Sequence, residues 1–553
     1  MKMSGAEIIV NTLISHGVDE VFGYPGGSVL HLYDALYQNR EHIRHYITCH
    51  EQGAAHAADG YARSTGKTGV VIATSGPGAT NLVTGLATAY MDSTPVVAIT
   101  GNVPLPLIGK DSFQEVDIAG ITMPITKHNF IVKDIAHLEE IICEAFLIAR
   151  SGRPGPVLVD VPKDIQTARF EFKGGTPRKV KPVPPPEFDK LAAAAEIIKK
   201  AKRPYIYAGG GVVIGGAYEE LLKFAELIDA PVGLSIMGLT AIDSVNPRCL
   251  GMTGMHGSFA ASKALAECDL IIGAGVRFSD RATGNKAKYR ENKSIVHIDI
   301  DPAEIGKNVA FEASVVGDVK AVLQRLCGLM PPQEHSDWMN QIERYRREGE
   351  VVRRDNRDFS PKAIISAVRR HTDSDTVIAT DVGQHQMWTA QYYQFSSPRT
   401  FITSGGLGTM GFGVGAAIGA AVGRGMKRTV LFTGDGSFHM NLNEVATAVM
   451  HNIPIVIVVM NNGVLGMVRQ WQSLFFEKRF SETTLNHVTD FVKLAESFGA
   501  KGYRAADMQS LEAALSAAFS ENAPAVIDCV IDMDEMVLPM IPPNGSVDDM
   551  LTT

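Results

Sequence analysis

The stretch Thr429-Val430-Leu431-Phe432-Thr433-Gly434-Asp435-Gly436-Ser437, followed by Ile455-Val456-Ile457-Val458-Val459-Met460-Asn461-Asn462, decides the fold. Each half is a short β-branched apolar run of the length of a buried strand, and each ends abruptly in polar residues. Asp435 and Asn462 stand 27 positions apart, which is room for strand, helix and strand, so both side chains finish at one edge of a parallel sheet. Mg²⁺ takes six hard oxygens and usually shares them with a phosphate. The Asp435 carboxylate, the Asn462 amide oxygen and the backbone carbonyl of Val464 supply three and leave room for two diphosphate oxygens and a water. Gly436 lets the backbone approach closely, and the helix opening near Ser437 offers unpaired N–H groups to an anion. A plain strand-to-helix turn with a capping Asp is the alternative; the paired Asn at this spacing argues against it.

Outward from this unit the same pattern recurs. Short strands are predicted at Val70–Thr74, Val96–Thr100, Pro156–Val161, Tyr205–Ala208, Leu270–Gly273 and Ile295–Ile298, separated by Ala-rich helical stretches. This is the signature of doubly wound parallel α/β sheets, whose ligands sit at the carboxyl ends of strands, and the glycine clusters fall there. Thr74-Ser75-Gly76-Pro77-Gly78 with Ser93-Thr94-Pro95-Val96 echoes Thr433-Gly434-Asp435-Gly436 with Asn452-Ile453-Pro454-Ile455, as a duplication would leave it.

Two compositional breaks divide the chain. Gly174 to Phe188 holds Pro177, Pro182, Pro184, Pro185 and Pro186 and reads as an extended connector. Pro331 to Pro361 is charge-dense, with Glu343, Arg344, Arg346, Arg347, Glu348, Arg353 and Arg354, and reads as a solvated helix between boundaries. The expected domains are 1–170, 190–330 and 360–540, with 541–553 as a C-terminal tail. A length of 553 residues is enough for three domains with their own cores.

Composition excludes several classes. With 52 Lys plus Arg against 60 Asp plus Glu, there is no basic footprint for nucleic acid. The six cysteines show no CxxC spacing or Cys/His pairing, so neither a zinc site nor a disulfide framework is suggested, and a reducing cytoplasm is expected. No leader pattern precedes the first helical stretch, and the apolar run at Pro454–Met460 is far short of a membrane span.

The Asp435/Asn462 pattern resembles the diphosphate motif of the thiamine diphosphate enzymes. The chain is further similar to the catalytic large subunits of acetolactate synthase, also called acetohydroxyacid synthase, over about 7–166, 204–319 and 360–543. The segments that carry the resemblance include Tyr24-Pro25-Gly26-Gly27, His50-Glu51-Gln52-Gly53-Ala54-Ala55, Ser112-Phe113-Gln114-Glu115, Val161-Pro162-Lys163-Asp164, Gly405-Gly406-Leu407-Gly408-Thr409-Met410-Gly411 and Gly466-Met467-Val468-Arg469-Gln470-Trp471. The resemblance implies three α/β domains: thiamine pyrimidine-binding, central FAD-binding and thiamine diphosphate-binding. It implies Glu51 as the acid on the cofactor's pyrimidine, Gly383, Gln384, His385, Gly436 and Ser437 at the diphosphate, Gly408 and Met410 at the cofactor ring, and Asp435, Asn462 and Val464 on the metal. Gly27, Phe113, Gln114 and Lys163 would line the reaction pocket. Arg281 would grip the second substrate's carboxylate and Trp471 would select it.

The middle third resembles the FAD-containing branch. The implied flavin contacts are Arg153, Gly209, Gly210, Gly211, Met255, His256, Gly257, Gly275, Arg277, Asp280, Arg281, Asp299, Ile300 and Asp318. Ser279 departs from the family pattern, which usually has Asp there. The implied activity is decarboxylation of pyruvate and transfer of its two-carbon unit to pyruvate or 2-oxobutyrate, giving 2-acetolactate or 2-aceto-2-hydroxybutyrate on the way to valine, leucine and isoleucine. The cofactors implied are thiamine diphosphate, Mg²⁺ and a structural FAD. The partners implied are a second copy in a homodimer or homotetramer and a small regulatory subunit, with no nucleic acid and no membrane. Three readings compete: a sibling enzyme such as pyruvate oxidase or glyoxylate carboligase, an FAD oxidoreductase, and a non-catalytic nucleotide-binding or regulatory protein. Arg281 with Trp471 disfavours the oxidase and Glu51 the glyoxylate carboligase; an FAD oxidoreductase predicts flavin bleaching by substrate at the turnover rate; and Glu51, Asp435, Asn462 and Met410 together disfavour the non-catalytic role.

Overall fold

The computed structural model describes residues 1–180, 183–352 and 357–552. Pro182, Arg353, Arg354 and the last residue of the tail therefore lie outside the described residues.

Three six-stranded parallel sheets follow one another along the chain. The first contains Glu20–Tyr24, Arg44–Ile47, Gly69–Ala73, Val96–Asn102, His128–Ile131 and Val157–Pro162. Numbered within the sheet, the strands lie in the order 2-1-3-4-6-5. The third sheet, Val377–Thr380, Phe401–Ile402, Thr429–Gly434, Ile455–Asn461, Lys501–Ala505 and Ala525–Val530, has the same order. The echoing sequence segments sit on strands three and four of both. The middle sheet, Pro204–Ala208, Val232–Leu234, Cys249–Met252, Leu270–Ala274, Ser294–Asp299 and Ala313–Val316, runs 3-2-1-4-5-6. All three are doubly wound α/β units, as the strand pattern predicts.

The central strands form because their side chains are apolar on both faces. Val96–Asn102 and Val157–Pro162 are buried throughout, and helices cover both sides of each sheet. Burying each Val, Leu or Ile contributes about 1.5–3 kcal/mol, so a strand of this kind stays fixed while the loops at its end vary.

The first and third units meet along two helices, Glu51–Thr65 and Gly413–Gly423. They touch backbone to backbone: a Cβ at Gly60 would lie 2.1 Å from the Ala416 carbonyl oxygen, and one at Gly419 would lie 1.8 Å from that of Ala57. Only glycine fits at either place. The third unit also shares an apolar core with the middle one, through Trp388 and Phe395 among others.

The connector after Glu171 carries no helix or strand among its described residues up to Glu187. The charge-dense stretch is the expected helix, Ser336–Val352, with Glu343, Arg344, Arg347 and Glu348 exposed, but it also has a buried side: Trp338, Ile342, Tyr345 and Gly349 are buried, and the Trp338 indole donates to the Pro204 carbonyl at 3.0 Å. The apolar residues at i, i+4 and i+7 form one stripe, which the surrounding charges obscure in a composition count. Among the described residues no helix is long and apolar enough to cross a membrane.

Candidate active site

In an open parallel sheet the crevice opens where strand order reverses, between strands one and three of the outer sheets and one and four of the middle sheet. All three crevices are lined by sequence-predicted residues.

In the third unit, Val377–Thr380 leads into Asp381-Val382-Gly383-Gln384, and Thr429–Gly434 leads into Asp435 at the start of helix Asp435–Asn441. Gly434 is the helix N-cap and brings no side-chain acceptor, so the first N–H groups stay available. Asp435 is 1% exposed. Its Oδ2 accepts from His487 Nε2 at 3.0 Å, while its Oδ1 is buried with no hydrogen-bond partner among the described residues. Burial raises its pKa, and His487 opposes that. A carboxylate oxygen held away from water without a donor is the condition a cation relieves. On the neighbouring strand's end, Asn462 Nδ2 donates to Gln384 Oε1 at 3.2 Å, which turns its amide oxygen toward the Val464 N–H at 3.3 Å.

His385 is fully buried and its Nε2 lacks a partner; burial lowers its pKa to about 3, so it is a neutral donor or acceptor at this edge. Gly383 has φ +154° and packs against the His385 ring, where a Cβ would sit 2.8 Å from it. Ser437 Oγ donates to the Val382 carbonyl at 2.8 Å, tying the two loops together. The donor set therefore fits a metal-bound diphosphate: one acid with an unpartnered oxygen, one amide, a neutral imidazole and helix N–H groups without a side-chain cap.

Gly408 and Met410 follow the second strand of this sheet. Gly408 has φ +71° and is exposed; Met410 is half-buried. The turn behind them is held by Asp381, a residue that none of the sequence motifs singled out. Its carboxylate accepts from the N–H groups of Val382 at 2.9 Å, Gly411 at 2.8 Å and Gly413 at 3.2 Å. Burial pushes its pKa up to about 6.

In the first unit, five strand ends bring Gly27, Glu51, the Thr74–Gly78 turn, Phe113 with Gln114, and Lys163 to one edge. Glu51 opens helix Glu51–Thr65 behind its N-cap, His50, and is 8% exposed. Its carboxylate accepts from Asn81 Nδ2 at 2.9 Å and packs on Gly78, where a Cβ would stand 3.1 Å away. Gln114 has φ +59°, its backbone packed on Gly76. Phe113 is 89% exposed and Gly27 faces open space. Among the described residues, no hydrogen bond or ion pair joins Glu51 to Asp435 or Asn462; the link between the two units here is Glu444, which accepts from the Cys49 and His50 N–H groups at 3.1 and 3.0 Å.

In the middle unit, the Gly209-Gly210-Gly211 and Gly275 turns end the first and fourth strands and pack on each other, a Cβ at Gly209 falling 2.2 Å from the Gly275 carbonyl oxygen. That crevice is the dinucleotide position of this strand order, and the close turns leave backbone rather than side chains at its floor. His256, pushed down to about 4 by burial, has an unpartnered Nδ1. Met255 and Arg281 meet, Met255 N–H donating to the Arg281 carbonyl at 2.8 Å, and the Arg281 guanidinium lies 5.4 Å from the Trp471 ring. Asp299 accepts from the Asp301 N–H at 2.9 Å, with its pKa raised to about 6 by burial, and leads into the half-buried Ile300. Asp318 caps helix Val319–Leu329, and Asp280 is exposed. Arg153 of the first unit reaches this one by pairing with Glu304 at 2.8 Å, and Arg277 of this unit donates to the Met91 carbonyl of the first at 2.6 Å.

Residues 3–121 match the thiamine pyrophosphate enzyme N-terminal TPP binding domain, 191–326 the central domain and 381–529 the C-terminal TPP binding domain. A probable acetolactate synthase large subunit of Methanocaldococcus jannaschii is 46% identical over 99% of this chain and 95% of its own length. The chain belongs to the acetolactate synthase large-subunit family. Two Escherichia coli members of that family, the isozyme 2 and isozyme 3 large subunits, are 45% and 42% identical over 99% of this chain and 99% and 98% of their own lengths. An acetolactate synthase large subunit is a thiamine diphosphate-dependent carboligase, and the two TPP binding domains contain the first and third crevices.

Proposed function

We propose that this chain is an acetolactate synthase catalytic subunit that decarboxylates pyruvate and joins the two-carbon remainder to pyruvate or 2-oxobutyrate, yielding 2-acetolactate or 2-aceto-2-hydroxybutyrate for branched-chain amino-acid biosynthesis. The observation that carries the site assignment is the buried, unpartnered Oδ1 of Asp435 beside Asn462. Asp435, Asn462 and the Val464 carbonyl hold Mg²⁺, and Gly383, Gln384, His385, Gly436 and Ser437 hold the diphosphate. Thiamine diphosphate, when bound, supplies a nucleophilic carbon and an electron sink.

The chain's own groups do the rest. Glu51 would hold and return a proton at the pyrimidine, and its hydrogen bond from Asn81 fixes the carboxylate for that task. Met410 and the Gly408 carbonyl would contact the cofactor ring and its amino group. Gly27, Phe113, Gln114 and Lys163 line the space above it. Arg281 binds the acceptor's carboxylate, and the Trp471 ring beside it limits the acceptor's size. FAD would be held in the middle crevice as a structural group by Arg153, Gly209–Gly211, Met255–Gly257, Gly275, Arg277, Asp280, Arg281, Asp299, Ile300 and Asp318. The working domains are 1–170, 190–330, 360–540 and the tail 541–553.

A homodimer is the minimal active unit, with Glu51 of one subunit completing the Asp435 site of its partner; the exposed Phe113 and open Gly27 support this reading. The relatives' designation as large subunits supports a small regulatory partner, and the biosynthetic role supports a cytoplasmic location. The test is pyruvate consumption with Mg²⁺, thiamine diphosphate and FAD each omitted in turn. Acetolactate that requires thiamine diphosphate and forms without oxygen uptake is expected; acetate or peroxide in its place moves the chain to an oxidase role.

A further inference from the structure

Helix Val83–Met91 ends in three residues that reach all three units. The Met91 carbonyl accepts from Arg277 Nη1 at 2.6 Å. The Asp92 carboxylate accepts from the N–H groups of Gly405 and Gly406 at 3.0 and 2.7 Å. The Ser93 hydroxyl accepts from Arg153 Nε at 2.8 Å, and Arg153 in turn pairs with Glu304 of the middle unit at 2.8 Å. One turn earlier, the Thr88 hydroxyl shares a 2.7 Å hydrogen bond with that of Thr409.

Asp92 is itself held. Arg63 donates to it through Nη2 at 3.1 Å, to the Thr403 carbonyl through Nη1 at 2.8 Å, and to both oxygens of Asp59. The side chains of Asp59 and Asp92 are wholly buried and that of Arg63 nearly so. Charge-assisted hydrogen bonds of this kind in a dry setting are the strong ones, and they are directional. The loop they grip is held at its two ends. Its tip, Leu407 and Gly408, is exposed; its entry is fixed by Asp92 and by Gln386 donating to the Ser404 carbonyl at 3.2 Å, and its exit by Thr88, by Thr409 N–H donating to Ser404 Oγ at 3.0 Å and by Asp381 accepting from Gly411 N–H at 2.8 Å.

We infer that Asp92, clamped by Arg63, is the positioning residue for the Gly405–Met410 loop, and that Met91–Ser93 ties this loop to Arg153 and Arg277 so that the flavin-side and thiamine-side crevices are ordered together. The two-crevice part rests on the function proposed above; the ordering of the loop concerns this chain alone. It gives a cofactor that moves no net electrons a physical task. A ligand that fixes Arg153 and Arg277 fixes the carbonyl and hydroxyl they grip, and through Asp92 the backbone that presents Gly408 and Met410. Coupling between two sites is reciprocal by linkage, so thiamine diphosphate must tighten flavin binding by the same factor.

The first test needs no cofactor. Amide hydrogen exchange across 403–413 is measured on the ligand-free full-length protein for the native chain, Asp92→Asn, Arg277→Lys and Leu13→Ala. Leu13 is buried in the opposite core of the first unit and serves as a destabilised control. Asp92→Asn is expected to speed exchange of the loop about tenfold or more, and Arg277→Lys severalfold although it does not bond to the loop, while Leu13→Ala leaves the loop unchanged. Unchanged exchange in Asp92→Asn, or equal acceleration in Leu13→Ala, overturns the positioning role. If Asp92→Asn does not fold, the Arg277→Lys result decides: no acceleration there overturns the connection. The second test titrates thiamine diphosphate with Mg²⁺ by quenching of tryptophan fluorescence, with and without FAD. The native chain is expected to bind at least about fivefold more tightly with FAD, and Asp92→Asn to lose that ratio. A native ratio of one overturns the coupling. A native chain that binds no thiamine diphosphate contradicts both the proposed function and the coupling, and the positioning role then stands or falls on hydrogen exchange.

Discussion

The first and third units share a strand order and differ in what their equivalent strand ends carry. After strand three, the first unit has Thr74-Ser75-Gly76-Pro77-Gly78, with no acid, where the third has Gly434-Asp435-Gly436-Ser437. After strand two, the first unit opens a helix with Glu51, whereas the third opens its equivalent helix with Gly413 behind the Gly405–Met410 loop. On the proposed function, each unit has half of the chemistry at crevices of the same form. The scaffold is set by apolar strands and two closely packed helices, and the strand ends are free to specialise: one unit keeps the buried Glu51, proposed above as the proton carrier, and the other keeps Asp435, a buried acid with one oxygen on His487 and the other unpartnered.

Breaking either half gives the largest effects. Asp435→Ala removes the one carboxylate of the proposed metal site and should lower kcat/KM on the order of a thousandfold or more, beyond the 10–100-fold typical of residues one shell further out. Excess Mg²⁺ should not restore it. Glu51→Gln keeps shape and removes the proton, and a drop in kcat of about 10²–10⁴-fold is expected with thiamine diphosphate still bound, checked by steady-state kinetics beside a binding titration.

The helix contact between the units is next. Gly419→Ala forces a methyl group onto the Ala57 carbonyl at 1.8 Å, and the strain should cost about 1–3 kcal/mol or more, read as a lower urea midpoint; an unchanged midpoint would mean that the two helices are free to separate.

A pH prediction sharpens the comparison further. Each unit buries a neutral histidine, His56 in the first and His385 in the third, and burial pushes both to about 3. The unfolded chain protonates these imidazoles near pH 6.5 and the folded one does not. Stability from each is therefore full above about pH 6.5 and is lost as pH falls toward 3, with a slope approaching about 1.4 kcal/mol per pH unit per histidine. His56→Gln should remove one such contribution from urea unfolding measured between pH 6.5 and 5. The smallest effect belongs to the middle unit. Ser279 occupies the N-cap of Asp280–Thr283 without a side-chain bond, so Ser279→Asp should add a cap worth about 0.5–1 kcal/mol and leave flavin retention, read from the visible spectrum, within about twofold.

The strands were legible because their runs are apolar on both faces; Leu270–Ala274 and Ile455–Asn461 could hardly be anything else. Edge strands such as Arg44–Ile47 and Lys501–Ala505 bury few residues and leave no such run. Helix Ser336–Val352 shows the opposite failure, since its charges conceal a buried Trp338–Ile342–Tyr345 stripe. Within the candidate site, Asp435 and Asn462 were readable from their spacing, because 27 positions return the chain to one sheet edge, whereas Gly383, Gly408 and Met410 were reached only through the family resemblance. Asp381, His487, Glu444 and the Arg63–Asp92 pair were reached by neither route. Their partners are set by tertiary packing, Asp92 bonding a loop more than three hundred positions away. Asp381 did leave a signal: an acid ending an apolar strand directly before Val382-Gly383-Gln384.

The central claim is that the two units supply complementary halves of one site across a dimer. It is tested most directly by mixing inactive Glu51→Gln and Asp435→Ala proteins after dissociation and reassembly, and assaying acetolactate. Half of the randomly reassembled dimers then carry one intact site and one doubly defective site, so recovery of roughly a quarter of native activity is predicted. Recovery of none, with mixed dimers demonstrated by mass, would mean that Glu51 and Asp435 act within one chain and would contradict the account.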